Sequence, residues 1–240
     1  MHQLTMNNTT ILKILANLSD RVFNDNVVLQ ELRSRCRPLV NDKAAGHLDS
    51  NFSGVTGYSN DYLYKALESP LDQYCWPKCS YGVDTTLVNI KSSYWNKVAV
   101  PYLKRLVNYI GSPSNALTMF YPEKGYIGWH HNGNAHGYNF LMTYSMDGDG
   151  YFKYYNQHTD EFTVLQDVPG WNFRFGYYPN IQHEPENVFW HTAYTEQPRL
   201  TIGWVVNNRN IWKSLIEECT GLGNIPDVID SMGPRGDVKN

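Results

Sequence analysis

The spacing of apolar residues changes once along the chain. Up to about residue 112 they recur three and four apart, the period of a helix, and from 116 to 207 they alternate, the period of a strand. In TTILKILANLSDRVF, positions 11, 12, 14, 15, 18, 22 and 23 form a helical stripe, with Thr9 or Thr10 as the expected N-cap. NVVLQELRSRC predicts a second short helix stopped by Pro38, and SNDYLYKALESP a third, set between an N-cap and a proline. The strongest helical pattern is YWNKVAVPYLKRLVNYIG. There Val98, Val100, Leu103, Leu106, Val107 and Ile110 share a face, Gly111 is a natural stop, and Pro101 either kinks the helix or marks its true first turn. Residues 40 to 58 read as a Gly/Asn/Asp/Ser-rich loop.

Beyond 116 the runs LTMFY, YIGWHH, YNFLMTYS, YFKYYN, EFTVLQD, NFRFGYYP, FWHTAYT and RLTIGWVV are each bounded by turn chemistry such as DGDG, QHTD or VPGW. About eight strands of this kind predict a mainly β fold, either a closed barrel or a two-sheet jelly roll, with flanking helices. The expected organisation is a single domain over 1–240. Residues 1–112 form a mostly helical support region, 113–207 the jelly-roll core, and 208–240 a helical tail in which IWKSLIEECTGL is followed by a fraying PDVIDSM.

Composition narrows the function classes. Aromatics reach 14% with 18 tyrosines, as in a β-rich chain with many half-buried rings. A net charge of −3 gives no global field for nucleic acid or acidic membrane. Arg33, Arg35 and Arg37 in RSRCRP read as a solvated helix end, so nucleic acid is a possible partner but not a favoured one. The N-terminus lacks a basic segment followed by an apolar block, and no window approaches a membrane span. Four cysteines fit a reducing compartment, the cytoplasm, and CWPKC has no matching second pair for zinc, so free thiols are expected.

The candidate chemistry lies in GWHHNGN, residues 128–134. If the strand parity of its start continues, His130 and Asn132 point one way and Trp129 and His131 the other. In FWHTA, His191 lies opposite Trp190 and Thr192. In RLTIGWVV, Leu200, Ile202, Trp204 and Val206 make an apolar face, while Arg199, Thr201 and Gly203 share the other. An arginine followed by small inward residues leaves a cavity with a fixed cation at its edge, suited to a small dianionic acid. His136, His158 and His183 lie in turn-like segments and are expected at the surface, and Asn139 and Thr143 on the third strand are further candidates for contact with a bound acid.

Tyr121, Gly125, His130 and Asn132 follow the pattern Y-x3-G-x4-H-x-N, with His191 61 residues beyond His130 and Arg199 eight further on. This order resembles the iron(II)/2-oxoglutarate-dependent oxygenases, with a tyrosine nine residues before the first metal histidine as in the prolyl-hydroxylase and AlkB-like branches. GWHHNGNAHGYNFLMTYSMDGDGYFKYY and the later WHTA and PRLTIGWVV also resemble uncharacterised oxygenase-like proteins of tailed bacteriophages, for which the compartment would be the host cytoplasm. The resemblance covers roughly residues 116–207. It implies a double-stranded β-helix of jelly-roll, cupin-like form, buttressed by the N-terminal helices. It also implies Fe(II) held by His130 and His191, with 2-oxoglutarate held by Arg199 and Tyr121 and flanked by Asn139 and Thr201. The activity implied is hydroxylation of a small-molecule or peptide substrate, with oligomeric state open.

The chain departs from the family at one position: Asn132 stands where Asp or Glu is usual. An amide oxygen is a weaker donor and leaves the site one negative charge short. Three outcomes are open. Asn132 ligates weakly or sits behind a water ligand, a carboxylate such as Asp147 or Asp149 folds in, or the site has lost its metal and the jelly roll works as a binding or viral accessory protein. A nucleic-acid-modifying dioxygenase is a further alternative. Halogenation fits poorly, because Asn132 fills the space that chloride needs.

Overall fold

The computed structural model describes residues 1–40, 56–86, 93–111, 116–133 and 135–221. Most of the loop expected at 40–58, Asn134 of GWHHNGN and the PDVIDSM segment lie outside them. The helices are α1 (Thr9–Phe23), α2 (Asn26–Arg35), α3 (Asn60–Leu67), α4 (Tyr94–Ile110) and α5 (Arg209–Thr220). The N-cap of α1 is Asn8, not Thr9 or Thr10: its side chain accepts the Ile11 N–H at 3.0 Å while both threonines are already in the helix. The chain leaves α2 at Cys36, which is extended two residues before Pro38. Ser93 caps α4 and Gly111 closes it in the left-handed region, so Pro101 sits well inside the helix rather than in its first turn. Its buried face is Trp95, Ala99, Leu106 and Ile110, flanked by Val98, Leu103 and Val107, which leaves Val100 off the packed stripe.

Strands β4 (Leu117–Tyr121), β5 (Tyr126–His130), β6 (Gly137–Ser145), β7 (Gly150–Asn156), β8 (Glu161–Gln166), β9 (Gly170–Tyr178), β10 (Trp190–Thr195) and β11 (Arg199–Val206) correspond to the eight predicted runs. They divide between two antiparallel sheets, β9-β6-β11-β4 and β5-β10-β7-β8, which is the topology of a double-stranded β-helix. The N-terminal half also contributes strands: β1 (His2–Leu4), β2 (Arg37–Val40) and β3 (Cys79–Asp84). β3 pairs with β4 through Val83↔Phe120 and with β5 through Ser80↔Ile127, joining the two sheets along one side into a nearly closed barrel. Gly82 permits that approach, since a Cβ there would stand 2.7 Å from the Phe120 carbonyl oxygen.

Side-chain parity sorts the core from the cavity. On β11 Leu200, Ile202 and Trp204 are fully buried against the helical layer of α1, α4 and α5, while Arg199, Thr201, Gly203 and Val205 face the barrel interior. On β6 Tyr138, Phe140 and Met142 face the helices and Asn139, Leu141 and Thr143 the interior. A second cluster covers the smaller sheet, where Tyr62, Leu63 and Ala66 of α3 pack on Trp129, Tyr155 and Trp190. No helix among the described residues is long and apolar enough to cross a membrane.

On β5 the parity is interrupted. His130 pairs with His191 but Ile127 with Ala193, so a bulge at Gly128 and Trp129 places both Ile127 and His130 on the cavity side. Thr192 Oγ1 donates to the Ile127 carbonyl at 2.6 Å and pins the bulge. Gly128 packs where a Cβ would stand 2.6 Å from Cys79 Sγ and 2.8 Å from the Cys79 carbonyl oxygen. Gly128→Ala is therefore expected to cost about 1–3 kcal/mol of stability, seen as a lowered melting temperature.

Candidate active site

The bulge brings two histidines face to face. His130 at the end of β5 and His191 at the start of β10 are cross-strand partners, and their ring centroids lie 4.2 Å apart. Each ring is oriented from behind by a backbone carbonyl two residues earlier in the chain. His130 Nδ1 bonds the Gly128 oxygen at 2.8 Å and His191 Nδ1 the Phe189 oxygen at 2.9 Å. A carbonyl only accepts, so each Nδ1 carries the proton and each Nε2 presents a lone pair. Both rings are 3% exposed. Phe152, Tyr178 and Phe189 stack on His191 with centroids 4.9–5.5 Å away, which fixes its plane.

Burial keeps the pair neutral. Desolvation lowers His130 to about 4, with the Gly128 bond opposing it, and desolvation followed by the neighbouring His130 holds His191 well below the ordinary range. Two uncharged imidazoles with unprotonated Nε2 atoms are the form that binds a divalent metal. For the metal-free chain the unfolded state binds more protons than the folded one wherever the pH lies below the ordinary 6.5 of histidine and above about 4. Stability is expected to be fully present above pH 6.5 and to fall as the pH drops through that window. Melting temperature against pH, with a flatter profile in His130→Gln, checks it.

Asn132 completes the cluster. It adopts φ 51°, a left-handed conformation that Asn tolerates, and its Nδ2 lies 3.4 Å from His191 Nε2. His131 points away: it bonds the Leu71 carbonyl at 2.8 Å, accepts the Gly133 N–H and packs edge-on against Trp190, as a structural residue. His158 and His183 are exposed and His136 half-buried. Asp147 and Asp149 are exposed in the turn between β6 and β7, so neither supplies a third ligand. Asp84 lines the cavity, but its Oδ1 accepts the Thr86 N–H at 2.8 Å. Among the described residues no three His, Cys, Asp or Glu side chains converge as a metal cluster.

The cavity, about 260 Å³, runs from the histidines to Arg199 and Tyr121 at the far end of the barrel. Arg199 and Tyr121 are cross-strand partners, with the guanidinium 5.6 Å from the tyrosine ring. Burial raises the Tyr121 phenol to about 12 against the opposing pull of Arg199, so it remains a hydrogen-bond donor. Asn139, Thr143 and Thr201 line the wall between, the two threonine hydroxyls 3.2 Å apart. Every proposed site residue therefore faces one cavity. Apolar residues dominate the rest of the lining, and Trp76, 60% exposed, reaches its edge. Arg33, paired with Glu123, and Arg35, paired with Glu31, are not in its walls.

Two buried residues escaped the sequence pattern. Arg174 on β9 and Asp167, in the turn before it, meet Arg199 beneath the cavity. The parity test that picked out Arg199 also marks Arg174, a lone cation between Phe173 and Phe175. Asp167 in QDVPG has the local signature of a turn residue and no other.

No family model and no curated protein sequence matches the chain. Among solved structures it is similar to a prolyl-4-hydroxylase from Pseudomonas putida, at 13% identity over 80% of this chain and 98% of that one, with a TM-score of 0.30. It is also similar to Peruvianin-I, a cysteine peptidase from Thevetia peruviana latex, at 11% identity over 38% of this chain and 53% of that one, with a TM-score of 0.23. The strand order and the inward-facing residues define the jelly roll without them.

Proposed function

We propose that this chain is a non-heme iron(II), 2-oxoglutarate- and O2-dependent oxygenase that hydroxylates a small-molecule or peptide substrate. The observation that carries the proposal is the pairing of two neutral, inward Nε2 lone pairs with a buried arginine and tyrosine in one cavity. The donor set fits: His130 and His191 would hold iron, with the Asn132 amide as a weak third ligand or a partner to bound water. Iron bound there would supply the oxygen activation that couples conversion of 2-oxoglutarate to succinate and CO2 with substrate hydroxylation.

The chain's own contributions are positional. Arg199 and Tyr121 bind the carboxylate remote from the metal, Thr201 and Asn139 border the chain of the cosubstrate, and the apolar walls exclude water. Arg199→Ala removes a charge-assisted contact and is expected to weaken 2-oxoglutarate binding about 10- to 100-fold, measured by calorimetry.

The test is an anaerobic titration of metal-free protein with iron(II) and then 2-oxoglutarate. A saturable visible charge-transfer band supports the oxygenase. A chain that neither retains iron nor develops a band is instead a jelly-roll binding protein, the second reading. That reading is favoured by the lack of a three-residue His/Cys/Asp/Glu cluster among the described residues.

A further inference from the structure

Asp167 is 3% exposed and accepts two arginines at once. Arg174 Nη2 donates to Oδ1 at 2.6 Å and Arg199 Nε to Oδ2 at 2.8 Å. Arg174 Nη2 also donates to the Leu165 carbonyl at 3.1 Å. Gly150 makes room for the carboxylate, since a Cβ there would stand 2.5 Å from Asp167 Oδ2. Burial opposes ionisation of Asp167, but Arg199 and Arg174 outweigh it and hold the carboxyl below its usual range.

Two guanidiniums over one carboxylate leave one positive charge in nearly buried surroundings that face only the cavity, a costly arrangement that an anion there would offset. Arg174 Nε and Nη1 are buried and have no hydrogen-bond partner among the described residues. Arg199 commits its Nε edge to Asp167, and among the described residues its two terminal nitrogens have no hydrogen-bond partner. The planar fork is thus clamped from the side and presents its Nη1/Nη2 end, which can take a carboxylate through two parallel bonds.

We infer that Asp167 is a positioning residue that clamps Arg199 side-on, with Arg174 bracing it from behind, so that the end of the Arg199 fork receives one carboxylate of a dicarboxylate ligand. This rests on the oxygenase proposal for the identity of the dicarboxylate. If Asp167 served only to offset charge, the effect of removing it would have the opposite sign: losing a negative charge beside an anion site strengthens anion binding, whereas losing a clamp weakens it.

The test is calorimetric titration with 2-oxoglutarate, and with glutarate as a dicarboxylate lacking the keto group, in the presence of manganese(II). Asp167→Asn and the charge-conserving double variant Asp167→Asn/Arg174→Met are each compared with the unmutated chain. Both variants are expected to weaken binding about 10- to 100-fold, by analogy with the range that partners orienting metal ligands carry. Tighter binding in Asp167→Asn, or unchanged binding in the double variant, overturns the clamp while leaving the oxygenase proposal standing. Absence of binding by the unmutated chain overturns both. Should the variants fail to fold, the unmutated chain decides through the NMR signal of the assigned Arg199 Nε–H. Protection from exchange before any ligand is added is expected, and rapid exchange overturns the clamp.

Discussion

His191→Ala is expected to abolish iron(II) binding, with no charge-transfer band at any 2-oxoglutarate concentration and no turnover. The two imidazole nitrogens are the donors that face each other in the cavity, and removing one leaves His130 beside the neutral Asn132 amide. The ring is also the one best fixed, by the Phe189 carbonyl and three stacked aromatics, so its loss opens a cavity as well as a coordination position. Metal content therefore has to be read beside a melting curve. His130→Ala should behave alike, since its Nδ1 is held in the same way. Full turnover in either variant would remove the proposed mechanism.

Asn132→Asp should do the reverse and raise affinity for iron(II) tenfold or more, a gain of about 1.4 kcal/mol or greater. The change is nearly isosteric, and Asp shares the tolerance of Asn for the left-handed backbone at this position, φ 51°. It supplies the negative charge that a site of two neutral histidines lacks. In the metal-free chain the same carboxylate lies beside His191 Nε2, where it would favour a protonated imidazole and raise the histidine from its depressed range. Metal uptake by Asn132→Asp should accordingly become more sensitive to acid than uptake by the unmutated chain. Calorimetric titration at two pH values measures both effects. Unchanged affinity would show that residue 132 does not touch the metal.

Much of this protein is determined by sequence pattern alone. Eight alternating runs specify the eight strands of the jelly roll, because period-two hydrophobicity admits one burial solution per strand. The same parity, applied to RLTIGWVV, separates Leu200, Ile202 and Trp204 in the core from Arg199 and Thr201 in the cavity. His130, Asn132 and His191 are legible through their order and spacing.

Tertiary structure alone decided the rest. CSYGVD is too short and too glycine-tolerant to announce a strand, and β3 exists because two sheet edges are there to pair with it. The bulge in β5 turns Ile127 inward beside His130 through a register shift between strands 60 residues apart, which no local pattern carries. Asp167 reads as a turn residue until two arginines from different strands close on it. A buried charge is stabilised by partners distant in sequence, so its role becomes visible only when the barrel has brought them together.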